Sequence, residues 1–274
     1  MQNSHTYDHM TGSIKLILWL VLAEYLLFIF SGVSFSYLYG NGFFSIEVDP
    51  AYWFFYLLRI PQFITGHLWV CILLDISIIA LLLILIRKPF TNSVAIILFS
   101  LLLLYYVTLM GYLAHRNYQF GFFIVLIPFF FKKQLNREYA YEATRYFLLF
   151  FYVSAAYLKL TGGALTDQVM FSHLLSGQFT PYYLEGNTGL RTNINLYLVG
   201  HPAASYILYL ASFIIECSAI TGFFTKRFDK WIAIILLAFH FGNWFIMDIA
   251  PFGQVAFICM LFFSKEMGLK KQPE

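Results

Sequence analysis

The sequence predicts an all-α integral membrane protein: a bundle of about eight transmembrane helices, with interfacial helices in its outer loops. Three observations predict it. Of 274 residues, 60% are hydrophobic and only 11% are charged, with a mean hydropathy of +0.72. A soluble domain carries about 25% charged residues, because its core needs a polar shell that this chain lacks the residues to make. Aromatics reach 21%, with 32 Phe and 20 Tyr, which suits lipid-facing helices with aromatic belts at the interfaces. The apolar residues also gather into runs near the ~20 residues that cross a bilayer.

The runs are 16–39, 67–86, 94–114, 118–131, 143–161, 203–223, 229–247 and 252–264. The first follows a short polar stretch, Met1 to Ser13, and has no small-residue cleavage site. It reads as a retained helix rather than a signal peptide. The fourth and eighth are short, and each reads as a thin-membrane span or as half of a re-entrant pair. No internal repeat, low-complexity tract or second domain interrupts the chain, so residues 1–274 read as one transmembrane domain.

Charge between the runs tests this order. With the N-terminus inside, the inner segments carry Lys15; Arg87 and Lys88; Lys132, Lys133, Arg137 and Arg145; Lys226, Arg227 and Lys230; and Lys265, Lys270 and Lys271. The outer segments carry only Arg59, Arg116 and Arg191, and Lys159 falls within a run. Cations concentrate on the cytoplasmic side of membrane proteins. The split therefore predicts eight crossings with both termini cytoplasmic, in a cell membrane, the bacterial inner membrane being the expected compartment. Two outer segments are long. Residues 40–66 hold the aromatic stretch Tyr52 to Leu58, ended by Pro61, and predict an interfacial helix. Residues 162–202 are rich in Gly, Asn, Thr and Pro. Long structured loops on one face place the work there.

The net charge of +3 gives no nucleic-acid surface, and the partner in view is the lipid bilayer. Cys71, Cys217 and Cys259 lie in apolar runs without metal-ligand spacing, so no metal site is predicted and no redox compartment is legible. The chain has no HExxH, nucleophile elbow, P-loop or dinucleotide fingerprint.

The informative residues are ionisable ones inside the runs. A charge at the bilayer centre costs about 2.5–3.5 kcal/mol on insertion scales, so such groups face the bundle interior and are functional candidates. They are Glu24, Asp75, His115, Lys159, Glu216 and His240, with His67 and Asp248 nearer the surface. In the topology above most fall in the outer half, Glu216 lies near the middle, and Glu24 lies in the inner half. Helical spacing groups them into polar stripes: Thr108, Tyr112 and His115; Tyr152, Ala155, Ala156 and Lys159; Ser205, Tyr209, Ser212 and Glu216; His240, Asn243, Trp244 and Asp248; and Cys71 with Asp75. The stripes predict one outward-opening polar cavity. The structural alternatives are a snorkelling Lys159, an interfacial His115, and helix-to-helix hydrogen bonds from Glu24, Asp75 and Glu216.

Two segments carry a family resemblance. Tyr152-Val-Ser-Ala-Ala-Tyr-Leu-Lys159-Leu160 resembles the Tyr-x-x-Ala-Gly-x-x-Lys-Leu stretch of the vitamin K-dependent γ-glutamyl carboxylase and its bacterial relatives, the horizontally transferred transmembrane (HTTM) domain family. Glu216-Cys-Ser-Ala, the basic pair Lys226-Arg227 and Phe239-His240-Phe-Gly-Asn243 are similar to the family's acidic-x-Ser-Ala, basic turn and Phe-His-x-x-Asn segments. His115-Arg-Asn-Tyr-Gln-Phe-Gly121 is a third, looser match to the family's Asn-His-x-Tyr region. Together they span about 105–264. The chain departs from the pattern at Ala114, at Ala156 and over Thr161-Gly-Gly-Ala-Leu165.

The resemblance implies Lys159 as the base that deprotonates a reduced, vitamin K-like quinone, with oxygen and carbon dioxide as co-substrates, and His115 as an aid to carboxylation. Such a base works only as the neutral amine. His240, Asn243, Glu216, Asp75, Tyr112 and Tyr152 are the candidate pocket residues. Some bacterial relatives act in the maturation of secreted peptide toxins. A second reading is therefore a non-catalytic maturation, immunity or export partner for a small secreted peptide or protein, bound by the outer segments. A third reading is a proton-coupled transporter using Asp75 and Glu216, though the chain lacks the inverted repeat typical of that class.

Overall fold

The computed structural model describes residues 2–40, 50–110, 121–163, 165–184, 186, 189–247, 249 and 253–268. All regular structure among them is helical. The longer helices are α1 (Gln2–Phe30), α2 (Leu68–Arg87), α3 (Asn92–Met110), α4 (Gln134–Thr161), α5 (Met170–Leu184), α6 (Leu190–Gly200), α7 (Pro202–Ser218) and α8 (Asp229–Met247). Among the described residues, five segments are long and apolar enough to cross a bilayer: Gly12–Leu38, Leu68–Arg87, Asn92–Leu109, Pro202–Phe224 and Lys226–Met247. The chain is thus an all-α protein compatible with a membrane location.

The remaining three runs behave differently. α4 is 28 residues long, but Arg145, Lys159 and the tyrosines at 146, 152 and 157 dilute the apolar character of residues 145–161. The fourth run is described only as Gly121–Ile124 and the 3-10 turn Ile127–Phe130. Ten residues at 1.5–2 Å each rise roughly 15–20 Å, short of the ~30 Å hydrocarbon core. The eighth run is similarly broken, into Val255–Cys259, the 3-10 turn Met260–Phe263, and Ser264–Met267.

The chain forms two compact units, Met1–Arg145 with Phe252–Glu274, and Tyr146–Pro251. In the first, α1 ends in a Schellman turn. Gly32 takes φ +69°, Val33 N–H donates to Phe28 O at 2.9 Å, and Gly32 N–H donates to Ile29 O at 3.2 Å. Only a residue without a Cβ adopts this turn without strain. The chain re-enters a short helix, Phe35–Leu38, whose first amides need acceptors. Asp75 of α2 supplies them: Phe35 N–H donates to Oδ1 at 3.2 Å and Ser36 N–H to Oδ2 at 2.9 Å. Tyr25 and Ser36 hydroxyls donate to the same carboxylate at 2.6 and 2.7 Å. Around it Tyr25, Phe28, Phe35, Tyr105 and Phe122 form a fully buried aromatic cluster.

A second carboxylate caps the short C-terminal helix. Glu24 Oε1 accepts from the amides of Gly253, Val255 and Ala256 at 3.1, 2.8 and 3.2 Å. Gly121 packs on the same turn, and a Cβ there would meet the Gly253 carbonyl and lie 2.8 Å from Phe257 Cβ. Tyr141 of α4 donates to Met260 O. Arg145, counted above among the inner cations, is the largest fully buried side chain among the described residues, 3.8 Å from Glu142.

In the second unit, the outer segment read as a Gly/Asn/Thr-rich loop is mostly two helices, α5 and α6. Asp167 accepts from the amides of Val169 and Met170 at 3.0 and 3.1 Å to start α5. Pro202 opens α7, where its missing N–H costs nothing. The last carbonyls of α8 have no helical partner of their own. Arg191 of α6 donates to Phe245 O at 2.8 Å and to Trp244 O, and Gln178 of α5 donates to Met247 O. Satisfied carbonyls matter most where lipid replaces water. Gly222 lets the short helix Ile220–Phe224 that follows α7 sit on α4, its Cα facing the Leu149 methyls.

Candidate functional site

The second unit brings Lys159, Glu216, Tyr152 and His240 together on three helices. Lys159 lies in the last turn of α4, two turns beyond Tyr152. That is about 10 Å along the axis, on one face. α7 places Ser212 and Glu216 one turn apart, and α8 supplies Phe239 and His240.

Lys159 Nζ is 2.9 Å from Glu216 Oε2 and donates to Ser212 Oγ at 2.8 Å. Ser212 in turn donates to Tyr209 O at 2.7 Å, which leaves its oxygen free to accept. The ammonium sits 5.1 Å from the Tyr209 ring centre and 5.8 Å from that of Phe239, within cation–π range. The Lys159 side chain keeps 20% of its surface exposed, against 7% for Glu216. The amine is therefore the approachable member of the pair. An ammonium has three N–H donors; Ser212 engages one, and Glu216 lies within ion-pair distance.

One turn-pair away, Tyr152 Oη and His240 Nε2 are 2.6 Å apart, both side chains buried. Either the phenol donates to a bare Nε2, or an Nε2–H donates to the phenolic oxygen. The rings meet edge-on at 5.8 Å, and Phe239 bridges the two pairs, its ring 5.3 Å from that of His240. Cys217 follows Glu216 and is half-buried.

The other predicted residues fall elsewhere. Asp75 belongs to the first unit, where its four hydrogen bonds cap the Phe35–Leu38 helix. Glu24 likewise caps a helix there. Asn243, one turn beyond His240, is half-buried, and its side chain makes no hydrogen bond among the described residues. His67 is exposed, its Nδ1 2.7 Å from Phe63 O. Tyr112, His115 and Asp248 lie outside the described residues.

Sequence reasoning found the Ser205–Glu216 stripe by its spacing but assigned no role to Ser212 or Tyr209. Phe239 appeared only as a motif letter. The signal was present: a Ser one turn before a buried Glu is placed to share its partner.

Compared with family models, with curated proteins and with solved structures, the chain has no significant match.

Proposed function

We propose that the chain is a multi-pass membrane enzyme of the carboxylase-like HTTM kind, with eight crossings and cytoplasmic termini. It acts by quinone- and oxygen-dependent chemistry on an external peptide or lipid, with Lys159 as base. The observation that carries this reading is the Lys159–Glu216 pair at 2.9 Å, with the amine partly exposed between two aromatic rings.

The residues present suit a lipophilic ring. Tyr209 and Phe239 would flank it, and a Lys159 N–H not given to Ser212 would meet a ring oxygen. When bound, a reduced quinone supplies the electrons for oxygen and so the strength of base needed to deprotonate a carbon acid. The chain's own part is proton handling. Lys159 takes a proton only as the free amine, and Glu216 is the neighbour able to hold the proton that the amine gives up. The pair stays neutral as a unit wherever that proton sits, which lowers the cost of keeping it in a low-dielectric setting. Ser212 fixes the direction of Nζ, and Tyr152 fixes the ring of His240.

The test is oxygen uptake by the purified protein in nanodiscs, with a reduced naphthoquinone, bicarbonate and a glutamate-containing peptide. The wild type should consume oxygen. Lys159→Met should not, and neither should Lys159→Met/Glu216→Leu, which removes both charges and keeps the volume. No uptake by the wild type, or equal uptake by both variants, would overturn the reading.

The outer helices favour a second reading, a non-catalytic partner of a secreted peptide. Leu174, Leu184, Leu190, Leu196 and Tyr197 are all exposed there. Under that reading, polar substitutions at these positions abolish the phenotype while Lys159→Met leaves it intact.

A further inference from the structure

We infer that the turn between α7 and α8 is a binding site for the headgroup of an acidic phospholipid. Pro202–Phe224 and Lys226–Met247 are each long and apolar enough to cross a bilayer, and only Thr225 lies between them. The turn is therefore held at the membrane surface. Its shape is fixed locally: Thr225 Oγ1 accepts from Arg227 N–H at 3.1 Å and starts the 3-10 turn Lys226–Phe228.

What the turn presents is unusual in two respects. Three aromatic side chains lie open, Phe224 at 84%, Trp231 at 64% and Phe228 at 44% exposure. Exposed aromatics of this size are poor water-facing residues but are enriched at headgroup level. Between them stand two exposed cations, Arg227 and Lys230, while the nearest carboxylate, Asp229, is fully buried. The exposed charge is thus of one sign. Arg227 lies over the Phe228 ring at 5.8 Å, a contact that leaves the N–H edge of the guanidinium for a phosphate, which it matches in pairs of hydrogen bonds. The rings would then rest against the glycerol and upper acyl region. Basic residues at a membrane surface attract anionic lipid.

The experiment uses the whole protein in nanodiscs of phosphatidylcholine with a minority of phosphatidylglycerol, and native mass spectrometry of the lipids that stay bound. The wild type should retain phosphatidylglycerol several-fold above its share of the bilayer. Arg227→Gln/Lys230→Gln should return retention to the bilayer ratio, and Arg227→Lys/Lys230→Arg should keep most of it. A salt titration of the wild type needs no variant: enrichment should fall between 0.1 and 1 M, as the screening length drops from ~10 to ~3 Å. Bulk-ratio lipid on the wild type, enrichment that survives the Gln variant, or enrichment insensitive to salt would each overturn the proposal.

Discussion

Lys159 shows how much of a site a single residue can carry and how little it reveals by itself. Its position and its helical face follow from spacing, and so do those of Glu216. That the two meet depends on how α4 and α7 pack, which no local pattern encodes. The meeting has a measurable signature. Removing one member of a buried ion pair costs about 3–5 kcal/mol, and the partial exposure of Lys159 puts this pair at the lower end. Glu216→Ala should therefore lower the thermal midpoint clearly, and Lys159→Met/Glu216→Leu should recover most of the loss. Strict additivity in that double-mutant cycle would mean the groups do not interact. Tyr152 and His240 make a second case. Tyr152→Phe leaves the His240 Nε2 buried without its partner, at about 1–3 kcal/mol. Adding His240→Leu should then cost little more, and a large further drop in the midpoint would count against the pairing.

Among elements, the parts that hydropathy misses are the breaks. Run 16–39 reads as one uninterrupted span, yet Gly32 ends α1 and Asp75 starts a new short helix behind it. The Schellman glycine is legible in principle; the acceptor 40 residues away is not. Asp75 stood in the sequence as a pocket candidate because a membrane carboxylate must face the bundle interior; the capping bonds it makes there are the structural alternative, a carboxylate serving a neighbouring helix. Asp75→Asn keeps one acceptor oxygen and should be milder than Asp75→Leu, which strands the amides of Phe35 and Ser36; thermal midpoints give the order. The two tight glycines should also separate. A methyl at Gly121 meets a backbone carbonyl that has nowhere to go. One at Gly222 meets the far ends of Leu149, 2.7 and 2.8 Å away. Overpacking costs about 1–3 kcal/mol, and Gly121→Ala should destabilise more than Gly222→Ala. The reverse order would mean the turn at Gly253 can shift.

For the whole molecule, composition and the placement of cations set the class and the order of segments, because lipid leaves a chain few options beyond helices. The short and diluted runs are where that logic thins. Ten residues at 121–130 are apolar but too short for a span, and residues 145–161 of α4 are long enough but fall short in hydropathy. The Arg145 side chain, buried beside Glu142, shows that a cation near a run need not mark a surface. Crossing number has a parity that settles the matter. Eight crossings put both termini on one side, whereas the five long segments alone put them on opposite sides. Cysteine labelling at engineered positions near each end, with a membrane-impermeant reagent, should find both protected from outside. Labelling of one end alone would exclude the eight-crossing topology.

The three amides that Glu24 accepts from lie 229 to 232 residues further along the chain. A ribosome adding about 5–20 residues per second needs roughly 10–45 s to reach them. Throughout that interval the first helix is already made while its carboxyl group waits for the hydrogen bonds that will hold it. Biogenesis of this protein therefore includes a period in which its earliest segment depends on its latest, and any helper that shields a nascent membrane helix would have its longest task at Glu24.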